Sequence, residues 1–384
     1  MLISKNTLPT TEKITLVHSG DDYFSRLEQL ISEAQSELHI QIYLFENDAT
    51  GKKIIHALQE AANRQVTIYL LLDGFGSLSL PLETINKLKQ SGINFRYFSP
   101  LFSANSFYLG RRLHQKVVVA DAKVALIGGI NIADKYHGTK NEKPWLDYAV
   151  QINGKIAAPL QELCKAIYFK EKKIQRKKIL PAFQPQQEAL IRILQNDWLN
   201  RKNEISNAYI KSIRNAKEEI TIVGSYFLPG RKLTNALKKA SQNKVRIRLI
   251  LSGVSDLPMT RRATCYFYTK LLGYNIELYE WNQSVLHGKA AVVDSIWTTI
   301  GSFNLNNLSS YGSVEMNIGI DSAIFSKMYQ NHLNEIILQC QRITPESLKT
   351  TDTILSKIIN GLSYYSTRAI EIIMTYLPYR RFNN

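Results

Sequence analysis

The sequence predicts an α/β fold of two tandem domains, and three observations predict it. The chain has 384 residues, room for two domains at ~150 residues each and perhaps a small third element. Its apolar residues alternate between helical and strand periodicity. The same pattern also occurs twice, first as FSRLEQLISEAQSELHIQIYLFENDATGKKIIHALQEAANRQVTIYLLLDGFGS and again as YIKSIRNAKEEITIVGSYFLPGRKLTNALKKASQNKVRIRLILSGVSD.

Each copy opens with helical spacing, passes through a short apolar strand and a Gly-containing turn, and enters a second helix. A β-branched strand follows, ending near Asp73–Gly74 or Ser252–Gly253. A further helix leads to the strand INFRYFS or YNIELYE. Strands alternating with helices of this length indicate βαβ units and a largely parallel sheet packed by helices. The domains are expected at 12–175 and 191–345. A basic, Pro-containing linker is expected over 176–190, and an amphipathic tail over 346–384.

Composition narrows the function. Hydrophobic residues make up 45% and charged residues 21%, an ordinary globular balance that excludes disorder as the main state. Lys plus Arg outnumber Asp plus Glu by 48 to 32, a net charge of +16. That excess points to an anionic partner, nucleic acid or an acidic membrane surface. The three cysteines, Cys164, Cys265 and Cys340, are scattered without metal-ligand spacing, which disfavours a disulfide scaffold or a Cys-based zinc site. The first twenty residues lack a signal-peptide apolar core, and no apolar run reaches membrane-spanning length. A cytoplasmic protein is the expectation.

The chemistry lies in two matched segments. Leu113-His114-Gln115-Lys116 runs through apolar residues to Asp121, and after six intervening residues Gly128-Gly129-Ile130-Asn131 follows. Leu286-His287-Gly288-Lys289 leads in the same way to Asp294, then Gly301-Ser302-Phe303-Asn304. Every spacing agrees at a constant offset of 173 residues. His-x-Lys on a strand sends both side chains to one face. An imidazole, an ammonium and an amide from each half make a cationic, donor-rich pocket suited to phosphate. Lysine serves there as a point charge, asparagine as a donor, and histidine as nucleophile or proton donor. Asp121 and Asp294 stand at strand ends, where a catalytic role and a turn-holding role are both open. Asp147 in WLDYAVQI and Glu315 in SVEMNIGI are acids inside apolar strands, unusual without a partner, and are expected to orient the histidines. His18, His39, His56, His137 and His332 lack repeated context and are expected to be structural.

These two HxKxxxxD segments, each followed by a glycine turn and asparagine, resemble the paired signature of the phospholipase D superfamily. Within it the chain is most similar to bacterial cardiolipin synthases. The likeness covers about residues 16 to 325, through IQIYLFENDATGKKIIHAL, LLLDGFGS, GGINIADKY, WLDYAVQINGKIAAPLQEL, SYFLPGRKLTNALKKA and LSGVSDLP. It implies two α/β/α domains with mixed, mostly parallel sheets, related by a pseudo-twofold axis, with one active site at their interface. It implies phosphatidyl transfer without metal or cofactor, through a covalent phosphohistidine on an anionic phospholipid such as phosphatidylglycerol, with an alcohol acceptor. Phospholipase D hydrolysis is the side reaction when water replaces the alcohol. Carried over, the family pattern makes His114 the nucleophile and His287 the acid/base, a choice that the symmetry of the sequence leaves open. Lys116, Lys289, Asn131 and Asn304 hold the phosphoryl oxygens. Lys135 and Tyr136 also fit the family and carry no assigned role.

Many members carry N-terminal spanning helices. This chain resembles the shorter type, which reaches lipid peripherally at the inner face of the cell membrane. The tail ILSKIINGLSYYSTRAIEIIMTYLPYRRFNN has apolar and aromatic residues at helical spacing and ends near Arg380-Arg381. It suits either the headgroup layer or a helix packed on the domain. A nuclease of the same superfamily is the alternative. The basic residues are not interleaved with aromatics as a nucleic-acid groove requires, so a nucleic-acid partner is not expected. A catalytically dead membrane module would let one motif decay, and both are intact.

Overall fold

The computed structural model describes residues 7–9, 13–100, 102–103, 106–107, 110–171, 189–197, 200–351 and 353–376. Most of the expected linker, residues 176–188, and Arg380-Arg381 lie outside the described residues.

Two sheets carry the repeat. The first runs, edge to edge, Lys13–His18, Tyr148–Asn153, Val124–Gly128, Lys116–Ala120, Glu37–Ile42, Thr67–Asp73 and Asn94–Phe98. The second repeats that order with Leu190–Asp197, Ser313–Asp321, Trp297–Gly301, Lys289–Val293, Glu219–Gly224, Arg246–Ser252 and Glu277–Trp281. Thr7–Pro9 and Gln341–Ile343 close the outer edges of the second sheet.

Helices form where apolar residues recur every three to four positions. Asp21–Glu33 buries Tyr23, Phe24, Leu27, Leu30 and Ile31 and carries two acids in its first turn. Ala49–Asn63 starts at Asp48, whose carboxylate accepts from the Gly51 amide at 2.8 Å. Neighbouring strand residues then face opposite layers. Val118 and Ala120 pack outward against these helices, while Val117 and Val119 point into a core shared by both domains. That shared core joins Val150 and Ile152 to Val292, Ile300 and Ile318, and includes the helices Ala157–Tyr168 and Ala323–Leu338. Each domain is therefore α/β/α, and its inner layer is the interface.

The sheets are mixed, as expected, but the expected parallel majority is corrected. Within the seven-strand run of each sheet, only the Glu37–Ile42, Thr67–Asp73 and Asn94–Phe98 neighbours, and their counterparts in the second sheet, pair parallel. The motif strands pair antiparallel. Three residues separate Ala120 from Val124, too few for a parallel crossover. Asp121 and Ala122 both take positive φ, 52° and 55°, the geometry of a tight hairpin turn. Asp294 and Ser295 do the same at 51°.

The tail resolves into helices Pro345–Thr351 and Ile354–Tyr376. One face of the second packs on helix Pro258–Tyr266, with the Tyr364 and Tyr266 rings stacked 4.8 Å apart. Its other face exposes Ile354, Leu355, Leu362, Tyr365 and Ile373. No helix among the described residues is long and apolar enough to cross a membrane.

Candidate active site

His114 and His287 face one cavity of about 420 Å³ between the domains, lined also by Asn131 and Asn304. Reciprocal strand exchange brings them there. Arg112–Leu113 pairs with Ser313–Val314 of the other domain, so that the His114 and Gln115 amides both donate to the Val314 carbonyl at 3.0 Å. In mirror fashion, Leu146 bridges Leu286, and the His287 and Gly288 amides donate to the Leu146 carbonyl at 2.8 and 2.9 Å.

This exchange delivers each carboxylate to the opposite domain's histidine. His114 Nδ1 lies 2.9 Å from Glu315 Oε2, and His287 Nδ1 lies 2.6 Å from Asp147 Oδ2. Both acids are fully buried. A carboxylate on Nδ1 fixes the ring's orientation and leaves Nε2 for chemistry. Burial pushes the Asp147 carboxyl up to about 7, against the Lys289 charge and the Tyr148 amide. Burial lowers His114, offset by Glu315. His287 is lowered well below its ordinary value, by burial first and then by Lys289 and Lys116.

The lysines lie behind the imidazoles, each 2% exposed. Lys116 Nζ donates to its own His114 carbonyl at 2.5 Å, and Lys289 Nζ does the same to His287. Each also sits over an aromatic ring, Tyr43 at 5.2 Å and Tyr226 at 5.7 Å. Burial drives Lys116 down to about 7, with Glu315 opposing and the Lys289 charge adding to the fall. Burial likewise brings Lys289 to about 8, against Asp147. An anion in the cavity would favour both charged forms. Asn131 is held by the Leu44 amide at 3.1 Å and donates to Tyr136 at 2.8 Å. The Tyr136 hydroxyl is 3.4 Å from His287 Nε2. Asn304 accepts from Ser225 at 3.0 Å.

Asp121 and Asp294, for which a catalytic and a turn-holding role were both open, do not line the cavity and stand at the turns. Asp121 accepts from the Gln35, Ser36 and Glu37 amides, each at 2.9 Å. Asp294 accepts from those of Lys217, Glu218 and Glu219 at 2.8 to 2.9 Å. Burial raises the Asp121 carboxyl, and the hydrogen bonds outweigh it to hold it at about 2. Aspartate serves here because it tolerates positive φ and its side chain caps nearby amides.

Other residues at the site carried weaker signals. Arg112, beside the first motif, lines the cavity 3.5 Å from Asp73. Tyr136 and Lys135 follow Asn131 in INIADKY, and both line it. Ser302 donates to Glu315 at 2.5 Å. Of the five other histidines, His39 bonds to Glu37, His137 to Asp21 and His332 to Tyr148, and His18 lies 3.5 Å from Asp22.

Two repeated α/β domains that exchange carboxylates across one cavity, with a buried lysine beside each histidine, mark an enzyme of phosphodiester chemistry built by duplication. A family model described as cardiolipin synthase, PLD-like domain, matches residues 27–164 and again 209–337. The chain is 32% identical over 381 residues to cardiolipin synthase B of Escherichia coli K12, across 95% of this chain and 90% of that protein. It is 29% identical to the minor cardiolipin synthase of Bacillus subtilis 168, across 87% and 83%. Phosphatidylserine synthase of Haemophilus influenzae Rd KW20 shares the fold, with a TM-score of 0.74, 14% identity and 97% of each chain covered. The chain thus belongs to the phospholipase D-like cardiolipin synthase family, as a phosphatidyltransferase of the phospholipase D type.

Proposed function

We propose that this enzyme joins two phosphatidylglycerol molecules into cardiolipin, releasing glycerol. The observation that carries the reading is the pair of cavity-facing imidazoles, each held through Nδ1 by a buried carboxylate. His114 Nε2 attacks phosphorus and the bond to the headgroup oxygen breaks. His287 gives its proton to the departing glycerol. The phosphatidyl group then rests on His114. A hydroxyl of a second phosphatidylglycerol passes its proton to His287 and attacks phosphorus, and the P–N bond breaks. Lys116, Lys289, Asn131 and Asn304 stabilise the charge that develops on the phosphoryl oxygens. Water in place of the second lipid gives phosphatidic acid.

The protein meets its lipid from the inner face of the membrane, as a peripheral guest. Phe75, Leu257 and Met259 line the cavity and are exposed, and Ile370 brings the C-terminal helix to the same mouth. An apolar rim around the cavity, on a chain of net charge +16, suits an anionic bilayer better than a nucleic acid.

The test is product analysis with phosphatidylglycerol vesicles. Cardiolipin and glycerol should form with the unaltered protein and vanish with His114→Ala. Phosphatidic acid alone would make the enzyme a hydrolase, and no lipid turnover would overturn the reading.

A further inference from the structure

The phosphate-handling groups of the two halves are duplicated, but the charges around them are not. On the His114 side the cavity carries Arg112, whose counterpart one repeat later is Val285. On the His287 side it carries Asp256, an exposed carboxylate. The matching stretch after Asp73, GFGSLSL, holds no acid. Tyr226 fixes Asp256, its hydroxyl lying 2.7 and 2.9 Å from the two carboxylate oxygens. The Tyr226 ring stands 6.0 Å from the His287 ring and beneath Lys289. Asp256 is thus tethered to the side of the cavity where the acid/base works.

A carboxylate in a cavity built for phosphate repels the substrate unless the ligand also brings hydrogen-bond donors. A carboxylate offers about four acceptor positions, and the Tyr226 proton takes one. We propose that Asp256, oriented by Tyr226, is the alcohol subsite of the reaction and recognises an acceptor carrying a second hydroxyl beside the reacting one. This rests on the phosphatidyl-transfer reading above. In the second step the reacting hydroxyl gives its proton to His287 Nε2 and its oxygen bonds to phosphorus. The P–N bond to His114 breaks, its electron pair returning to the imidazole. Throughout, the neighbouring hydroxyl donates to Asp256. The same contact holds the departing glycerol in the first step. The chemistry is shared by free glycerol and by the glycerol headgroup of a lipid, whereas propan-1-ol and water lack it.

The experiment follows where the phosphatidyl group goes. The full-length protein acts on phosphatidylglycerol vesicles with deuterated glycerol and propan-1-ol present together. Four products are read: deuterated phosphatidylglycerol, cardiolipin, phosphatidylpropanol and phosphatidic acid. Each ratio is internal to one sample, so a change in overall turnover cancels. Asp256→Asn should lower the glycerol-to-propanol ratio about tenfold, the worth of a hydrogen bond to a charged group. The phosphatidic acid share should rise with it. Tyr226→Phe, which keeps the ring under Lys289, should lower the ratio about threefold. A fall in the free-glycerol product without a fall in cardiolipin would restrict the subsite to free glycerol; a fall in both extends it to the lipid headgroup. Ratios unchanged in both variants overturn the subsite. Absence of all four products with the unaltered protein overturns the transfer reading instead.

Discussion

In the His114 half, the orienting acid is Glu315, and its carboxylate takes a second hydrogen bond from Ser302. In the His287 half, the acid is Asp147, and Gly129 stands where Ser302 stands in the other. The shorter aspartate lies so close to its turn that a Cβ on Gly129 would meet Asp147 Oδ1 at 2.3 Å. Glu315, one methylene longer, leaves room for a hydroxyl. The difference separates two tasks. The Ser302 hydroxyl braces Glu315 and so holds the His114 ring in line for attack, while the Tyr148 amide braces Asp147 at 2.7 Å. A carboxylate pushed up to about 7 keeps a proton exchangeable near neutrality, which suits an acid that must become a base. His114, with 14% of its side chain exposed against 6% for His287, is also the more open to attack. These features support His114 as the proposed nucleophile.

The largest expected effects break the comparison outright. His114→Ala and His287→Ala should each lower cardiolipin formation by at least about 10⁴-fold, measured as product per enzyme. A nitrophenyl phosphodiester, whose leaving group needs no proton, should separate them. His287→Ala should still release one equivalent of nitrophenol in a burst and His114→Ala none. A burst in the His114 variant alone would reverse the assignment. Next come Glu315→Gln and Asp147→Asn, each expected to lower kcat on the order of 10³-fold with the fold intact by circular dichroism.

The position of these acids marks where sequence reading stopped. The duplicated His, Lys and Asn positions were legible because phosphate chemistry fixes both residue type and spacing. Which acid serves which histidine was not. Glu315 reaches His114 across 201 residues, and Asp147 reaches His287 across 140. The pairing of Arg112–Leu113 with Ser313–Val314 decides the first, and the Leu146–Leu286 bridge the second. The antiparallel motif hairpin was readable from its three-residue link, a cue outweighed by the βαβ pattern upstream. Asp256 had no repeated context to single it out.

Smaller effects sharpen the comparison. Ser302→Ala should lower kcat about tenfold through the lost hydrogen bond to Glu315. Gly129→Ala should be far worse, because the Asp147 carboxylate must shift; equal losses would erase the distinction between the halves. The lysines give a pH limb. Lys116 near 7 and Lys289 near 8 are charged below those values. Initial rates across pH should therefore show kcat/KM falling as pH rises through 7 to 8. The limb in kcat should sit higher, since bound phosphate favours the charged forms.

Smallest of all on activity is Asp121→Asn, expected to leave product formation within about twofold. Its cost falls on stability, about 1 kcal/mol, as for a lost side-chain cap. With the carboxyl held at about 2 against an ordinary 3.8, that stability is present above pH 3.8 and lost as pH falls through 2. Thermal melts of both proteins should converge toward that pH.

The crossed carboxylates also set when the enzyme can first act. A chain emerging from the ribosome completes the first sheet, His114 included, long before residue 315 has been translated. Until the Glu315 strand docks beside Arg112–Leu113, that histidine lacks its orienting acid, and His287 has not yet been made. The site is therefore completed only when the Ser313–Asp321 strand docks across the interface and brings Glu315 to His114.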